Sequence, residues 1–288
     1  MVALEAALLV GLLDALGNPD RVPAWIVVLL TVLMPVSLLA AAYLFQFGRS
    51  SRLAESLARP FPRAFPILLL AALGPMYMVI AVLTRGRTLF MPELALDRAV
   101  PLQPPWVLVY WSQWVFSFLP VFVVRGYELR RRAVLAYLTI VTVSYVGFLL
   151  YPTLGPRPAE VVGGGFFVWS LRELYGFDPP YNCFPSLHVA YSFLAALTAY
   201  RVHRRLGLVS LFWAALIAVS TLYTKQHYIV DVLAGMLLAY GAYAVFLRRF
   251  PRAAIQESDR LRAPMRALVI PAIFAVMVSC FWVAYETR

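Results

Sequence analysis

The sequence predicts an all-α, polytopic membrane helical bundle, and three observations carry that prediction. Of 288 residues, 62% are hydrophobic and 14% charged, with a mean hydropathy of +0.77. A soluble domain carries about a quarter of charged residues, so this chain is far too apolar for one. Apolar runs long enough to cross about 30 Å of hydrocarbon recur along its length. Arginines collect in alternate loops between those runs.

In chain order, the first apolar run, 3–16, has no basic flank before it and no small-residue cleavage site after it. It reads as an amphipathic interfacial helix ended by Gly17, Asn18 and Pro19, not as a signal peptide. About eight transmembrane spans follow, near 24–45, 66–84, 106–124, 133–151, 186–202, 206–224, 228–247 and 267–285. Only turn residues separate the fifth from the sixth, and almost nothing the sixth from the seventh, which predicts tight antiparallel hairpins. Before the fifth span, Gly163, Gly164 and Gly165 lack the Lys-Ser/Thr pair of a phosphate loop and read as a hinge. The aromatic stretch 166–176 reads as a short helix in the membrane interface. The chain thus divides into 1–105, an N-terminal interfacial helix with two spans; 106–250, a catalytic membrane core; and 251–288, a basic loop with a last span. Cys183 and Cys280 are too few for a disulfide framework and too far apart for a metal motif.

Short cytoplasmic loops gather arginine. The loops carrying Arg49 to Arg63, Arg125 to Arg132, Arg201 to Arg205 and Arg248 to Arg266 hold seventeen of the 25 basic residues. Topology and anionic headgroups therefore account for the net charge of +11, and no basic groove or stacking platform for nucleic acid is present. This sidedness predicts a multi-pass protein of the plasma (inner) membrane with both termini outside the cytoplasm. The end of the fourth span, the start of the fifth and the junction of the sixth and seventh all fall on the extracytoplasmic face.

Four polar residues converge there. His188 opens the fifth span, His227 and Asp231 open the seventh, and the loop 151–160, YPTLGPRPAE, brings Arg157 to the same level. On a helix, residues four apart share a face, so the Asp231 carboxylate can orient the His227 imidazole and fix its tautomer. Ionisable groups at span ends are costly and mark sites. Two histidines with an arginine suit phosphate chemistry: the arginine fork holds phosphate oxygens, and Pro185 and Ser186 set a helix N-terminus with free N–H groups beside His188. Lys225, the only lysine, lies two residues before His227 and is a further candidate phosphate ligand. His203 lies among arginines without such a partner.

PSLH at 185–188 and STLYTKQHYIVD at 220–231 resemble the second and third motifs of the type-2 phosphatidic acid phosphatase superfamily. The resemblance is closest to its inositolphosphotransferase branch, that of the inositol phosphorylceramide synthases, and its bacterial members. It implies a six-helix core within about 106–250 and covalent catalysis: His227 the nucleophile, Asp231 its partner, His188 the general acid and later base, Ser186 and Arg157 phosphate ligands. Three positions depart from the general pattern. Leu150 stands where the first motif has lysine, Thr221 follows Ser220 where the third has arginine, and Leu187 replaces glycine in the second. The last two are features of the inositolphosphotransferase branch.

Each residue also has a plainer reading. A histidine or lysine at a span end can bond headgroups or water, and Arg157 can anchor a lipid phosphate. Two histidines and a carboxylate also resemble a facial metal triad. A transporter would place its ionisable residues near the midplane on broken helices, often with internal repeats, whereas these cluster at one surface and no repeat is visible. The expectation is therefore an enzyme without metal or cofactor that transfers a phospho-headgroup, such as phosphoinositol, from a membrane lipid to a lipid or glycan hydroxyl. Lipid phosphatase activity, with water as acceptor, is the alternative within the same chemistry.

Overall fold

The computed structural model describes residues 73–74, 76–84 and 86–288. The chain divides into two compact units, Met1–Leu83 and Thr84–Arg288. The predicted interfacial helix 3–16, the span 24–45 and the arginines from Arg49 to Arg63 lie outside the described residues, as do 66–72 and 75 of the span 66–84. The described end of that span is helical, α1 (Met76–Thr84).

The described residues of the second unit are helical and contain no strand, which gives the all-α membrane bundle that the sequence predicts. After α2 (Ala95–Ala99) and a 3-10 turn at Pro104–Trp106 come α3 (Val107–Phe116) and α4 (Leu119–Val123). Then follow α5 (Tyr127–Leu150), α6 (Phe166–Phe177), α7 (Leu187–Val202), α8 (Arg204–Tyr223) and α9 (Ile229–Phe246). A 3-10 turn at Arg252–Ala254 leads to α10 (Glu257–Ala267) and α11 (Val269–Glu286). Tyr127–Leu150, Arg204–Tyr223, Ile229–Phe246 and the joined segment Glu257–Glu286 are long and apolar enough to span a membrane. The chain is an integral membrane protein.

One predicted span is broken and another forms a single short helix. The run 106–124 breaks at Ser117 and Phe118 into α3 and α4, where Pro120 sits in the first turn of α4 and has no N–H to continue the ladder of α3. The span 186–202 is α7, 16 residues long and therefore about 24 Å at 1.5 Å per residue. That helix is the axis of the unit and packs against α8, α9, α5 and α4. Ala190, Ala195, Ala196 and Ala199 on it are fully buried, and such small side chains let neighbouring helices approach closely where no hydrophobic effect drives them together. The outer side is aromatic: Trp111 of α3 lies 4.0 Å, centroid to centroid, from Phe281 of α11, and Phe166 of α6 lies 4.9 Å from Trp282. The interfacial helix predicted at 166–176 is α6.

The two ends of the bundle differ. At the arginine-rich end, buried Asp259 accepts the N–H groups of Arg125 and Gly126 at 2.8 and 3.0 Å and pairs with Arg266 at 2.9 Å, which satisfies the free donors at the start of α5. At the other end, three extended segments meet. Thr153 bridges Phe90 on one side and Asn182 on the other, while Phe90 donates to the Pro152 carbonyl at 2.8 Å and Gly155 to the Pro180 carbonyl at 2.9 Å. These short pairings fix the loops that carry Arg157 and Asp178.

Two glycines let the helices close on the turn before α7. A Cβ on Gly147 of α5 would stand 2.9 Å from Pro185 Cδ, and one on Gly235 of α9 would stand 2.5 Å from the Ser186 carbonyl oxygen. The second contact is with backbone and cannot yield by a side-chain rotation. Gly235→Ala should therefore push α9 away from α7, at a cost of about 1–3 kcal/mol. A fall in the melting temperature of the detergent-solubilised protein would report it, and an unchanged melting temperature would contradict the close approach.

Candidate active site

The site lies at the end of the bundle opposite the arginine-rich loops, where α5 ends and α7 and α9 begin. Ser186 is the N-cap of α7: its hydroxyl accepts from the Val189 N–H at 3.4 Å, and its own N–H donates to the Asp231 carbonyl at 3.0 Å. That backbone bond brings His188, in the first turn of α7, beside the start of α9. Nδ1 of His188 stands 3.3 Å from Nε2 of His227.

His227 is not on a helix, as the four-residue spacing suggested, but in the segment just before α9, with Tyr228 extended as the N-cap. Asp231 is in the first turn of α9 and is fully buried. One of its oxygens, Oδ2, accepts the Tyr228 N–H at 2.9 Å and stands 3.5 Å from His227 Nδ1. The same carboxylate thus caps the helix and faces the imidazole. The other oxygen, Oδ1, is buried without a hydrogen-bond partner. The histidine and the carboxylate meet as the sequence predicts, through the geometry of a helix start and not of a helix face.

Arg157 reaches the same cluster from the loop after α5. Its guanidinium donates to the carbonyls of Asp178 at 2.7 Å and Tyr175 at 3.2 Å, to the side-chain oxygen of Gln226, and lies 3.8 Å from Asp178 Oδ2. It also stacks over the Tyr175 ring at 4.8 Å. Its Nε and the Gln226 Nε2 are buried donors with no acceptor, and leaving such groups unpaired costs about 1–3 kcal/mol each. Donors held so beside two histidines suit the oxygens of an anion.

Lys225 faces elsewhere. Its ammonium donates to the Asp97 carbonyl at 3.0 Å, and the residue takes a left-handed φ of 52° in the turn after α8. Asp97, almost fully buried on α2, also accepts the Ile229 N–H at 2.9 Å, so the segment before α3 clamps the start of α9. The side chain beside His227 that touches Arg157 is Gln226.

Sequence reasoning passed over Tyr110 and Asp178. Tyr110, on α3 and fully buried, donates its hydroxyl to Asp178 Oδ2 at 3.0 Å, and the Tyr110 phenol oxygen lies 3.3 Å from Nδ1 and 3.2 Å from Nε2 of His188. Neither residue has a sequence signal of its own, since tyrosines are scattered through this chain and Asp178 sits in an unpatterned loop. Asp97 was missed for the same reason.

Among the described residues, one group could hold a metal ion: ligand atoms of Cys183, His227 and Asp231 lie within 4.8 Å of one another. This triad replaces the pair of histidines and carboxylate suggested by the sequence. A thiolate, a histidine nitrogen and a carboxylate fit a borderline ion such as zinc. The protein environment works against the thiolate. Burial, and next the Asp231 carboxylate, push the Cys183 thiol well above its ordinary range, with Arg157 opposing them. Cys183 and Cys280 are both free.

Because a thiol with a raised pKa holds little thiolate near neutrality, Cys183 should resist alkylation at pH 7–8 in the folded protein and react on denaturation. Peptide mass spectrometry after timed labelling measures this. Rapid modification in the folded state would contradict the burial.

The family described as the PAP2 superfamily matches residues 88–245, more than half of the chain. A PA-phosphatase related-family protein of Dictyostelium discoideum is 40% identical over 68 residues, covering 22% of this chain and 12% of that protein. An uncharacterized protein of Methanocaldococcus jannaschii is 41% identical over 104 residues, covering 36% of this chain and 41% of that protein. The chain thus spans less than half the length of either relative. No solved structure matches it.

Proposed function

The chain belongs to the PAP2 superfamily, and from that premise we propose that it is a phosphoester-transfer enzyme that cleaves a lipid phosphoester through a phosphohistidine. Membership supports phosphatase or phosphotransferase chemistry. The observation that carries the finer reading is the meeting of His188 Nδ1 with His227 Nε2 at 3.3 Å, with Asp231 behind His227 and Arg157 bonded to the neighbouring Gln226.

His227 Nε2 attacks phosphorus as the bond to the leaving oxygen breaks, and His188 gives that oxygen a proton. The incoming hydroxyl then loses its proton to His188 as its oxygen bonds phosphorus and the phosphorus–nitrogen bond breaks. Asp231 holds the tautomer that leaves Nε2 free to attack, and its 3.5 Å contact shortens as positive charge develops on the ring. Arg157, with the N–H groups at the start of α7, takes the charge that grows on the phosphoryl oxygens. Ser186 holds that helix start in place. Lys225 serves the phosphate only by exchanging the Asp97 carbonyl for it.

The transferred group is a phospho-headgroup, such as phosphoinositol, and the acceptor a lipid or glycan hydroxyl. Leu187 and Thr221, which match the inositolphosphotransferase branch, support this choice. With water as acceptor the same site is a lipid phosphatase, a reading favoured by the name of the Dictyostelium relative. The site faces the outside of the plasma (inner) membrane, because the arginine-rich loops define the cytoplasmic side. It works without metal or cofactor.

Mass spectra of membrane lipids from cells with and without the protein test the assignment. A phospho-headgroup lipid or glycan that appears only with the protein supports transfer, and loss of a lipid phosphate alone supports the phosphatase. An unchanged lipid profile contradicts both. His227→Ala should lower turnover on the order of a thousandfold or more, and Asp231→Asn should also be severe because it favours the wrong tautomer. Full activity in either variant would move the chemistry elsewhere. The pH profile of kcat/KM should be bell-shaped, with limbs that belong to the histidine pair, and activity should survive strong chelators. Loss of activity in chelator with rescue by zinc would instead favour the Cys183, His227 and Asp231 group.

A further inference from the structure

We propose that Tyr110 and Asp178 form a second carboxylate-anchored positioning couple, serving His188 as Asp231 serves His227. The inference rests on the reading of His188 as the proton donor to the leaving group.

Four observations support it. The Tyr110 hydroxyl hydrogen is committed to Asp178 Oδ2 at 3.0 Å, so the phenol oxygen offers a lone pair to the imidazole. That oxygen stands 3.2 Å from Nε2 and 3.3 Å from Nδ1 of His188, so it lies between the two ring nitrogens and a rotation of the imidazole brings one N–H into line with it. The two supporting groups are removed from bulk water: Tyr110 is fully buried and Asp178 is 6% exposed, which makes their alignment costly unless it is used, while His188 itself is half-buried. Lastly, they come from separate elements, α3, the loop after α6 and α7, so the contact is tertiary and not an accident of neighbouring residues.

The geometry of the pair of histidines gives the couple its task. At 3.3 Å the two rings touch, leaving no room for phosphorus between them. When a phosphoryl group is attacked by His227, with reacting atoms about 3–3.5 Å apart, His188 must swing back and still present a proton to the leaving oxygen. Tyr110 is the partner it swings against. An N–H on the far nitrogen donates to the phenol oxygen, which orients the ring and aims its other nitrogen, the one that carries the transferred proton, toward the leaving oxygen. Asp178 extends the arrangement to Arg157, whose guanidinium bonds the Asp178 carbonyl at 2.7 Å and lies 3.8 Å from its carboxylate. Phosphate oxygens arriving at Arg157 weaken that loose ion pair and so strengthen the hydrogen bond from the Tyr110 hydroxyl to the carboxylate. Binding of the phosphate and readiness of the proton donor are thereby linked through one side chain.

A positioning role is separated from a structural one by the leaving group. A departing lipid hydroxyl needs a proton, whereas an aryl oxide does not. Phosphoenzyme formation should therefore be compared for a lipid phosphoester and an aryl phosphate ester in the wild type, Tyr110→Phe, Asp178→Asn and His188→Ala proteins. In Tyr110→Phe the ratio of the lipid rate to the aryl rate should fall on the order of tenfold, a part of the roughly hundredfold or larger contribution of a general acid. Asp178→Asn should lower the same ratio and also raise KM for both substrates, because it disturbs Arg157. In the double variant the ratio should fall no further than in Tyr110→Phe alone.

Equal losses on both substrates in Tyr110→Phe, with the ratio still reduced in His188→Ala, would overturn the couple and leave the mechanism standing. An unchanged ratio in His188→Ala would remove the proton-donor reading itself. If Tyr110→Phe does not accumulate in membranes, Asp178→Asn decides alone: a reduced ratio supports the couple, and an unchanged one overturns it.

Discussion

One backbone hydrogen bond, from the Ser186 N–H to the Asp231 carbonyl at 3.0 Å, ties together the two helix starts on which the histidines depend. It forms only because α9 approaches the turn before α7 at Gly235, where any side chain would meet the Ser186 carbonyl. The consequence is local and exact in register. His188 in the first turn of α7 and His227 one residue before the N-cap of α9 come within hydrogen-bond distance although 39 positions separate them. In a membrane, where apolar burial does not drive helices together, such close backbone contact between small residues is a main source of helix association. The contact that builds the bundle and the contact that builds the site are here the same.

Asp231 and Asp97 show how the polar groups at these helix starts are used more than once. The first turn of a helix leaves N–H groups without partners. Asp231 takes one of them, at Tyr228, and faces His227 with the same oxygen. Asp97 takes the next, at Ile229, and through its carbonyl holds Lys225. Ser186 caps α7 in the same manner. Buried polar residues in a membrane protein need such partners, because unpaired polar groups in a low-dielectric interior are costly. Groups left without them occur at the site, on Arg157, Gln226, His227 and Asp231, and also away from it, on Trp111, Ser117, Ser144 and Ser170.

Much of this was legible in the sequence, and what was not has identifiable causes. The spans at 133–151, 206–224 and 228–247 were visible because apolar runs bounded by arginine or turn residues are hard to mistake. The spacing of His227 and Asp231 signalled a pair, but the same spacing serves a helix face and a helix start equally, so the wrong local geometry was inferred from the right residues. The break of 106–124 was written in Pro120, yet a hydropathy window averages over a single proline. Tyr110 and Asp178 lie 68 positions apart and carry no periodicity, and only the tertiary fold reveals that they meet His188. Lys225 attracted notice by being the only lysine, but the turn that holds it at a left-handed φ aims it at Asp97.

The central claim is that His227 becomes covalently phosphorylated. The direct measurement is to quench the purified protein within milliseconds of mixing with a phosphoester substrate, digest it under alkaline conditions that preserve phosphohistidine, and locate the phosphoryl group by mass spectrometry. The account predicts an acid-labile phosphoryl group on His227 that forms and decays at rates compatible with turnover. A phosphoryl group on His188, or turnover with no covalent intermediate on either histidine, would contradict it.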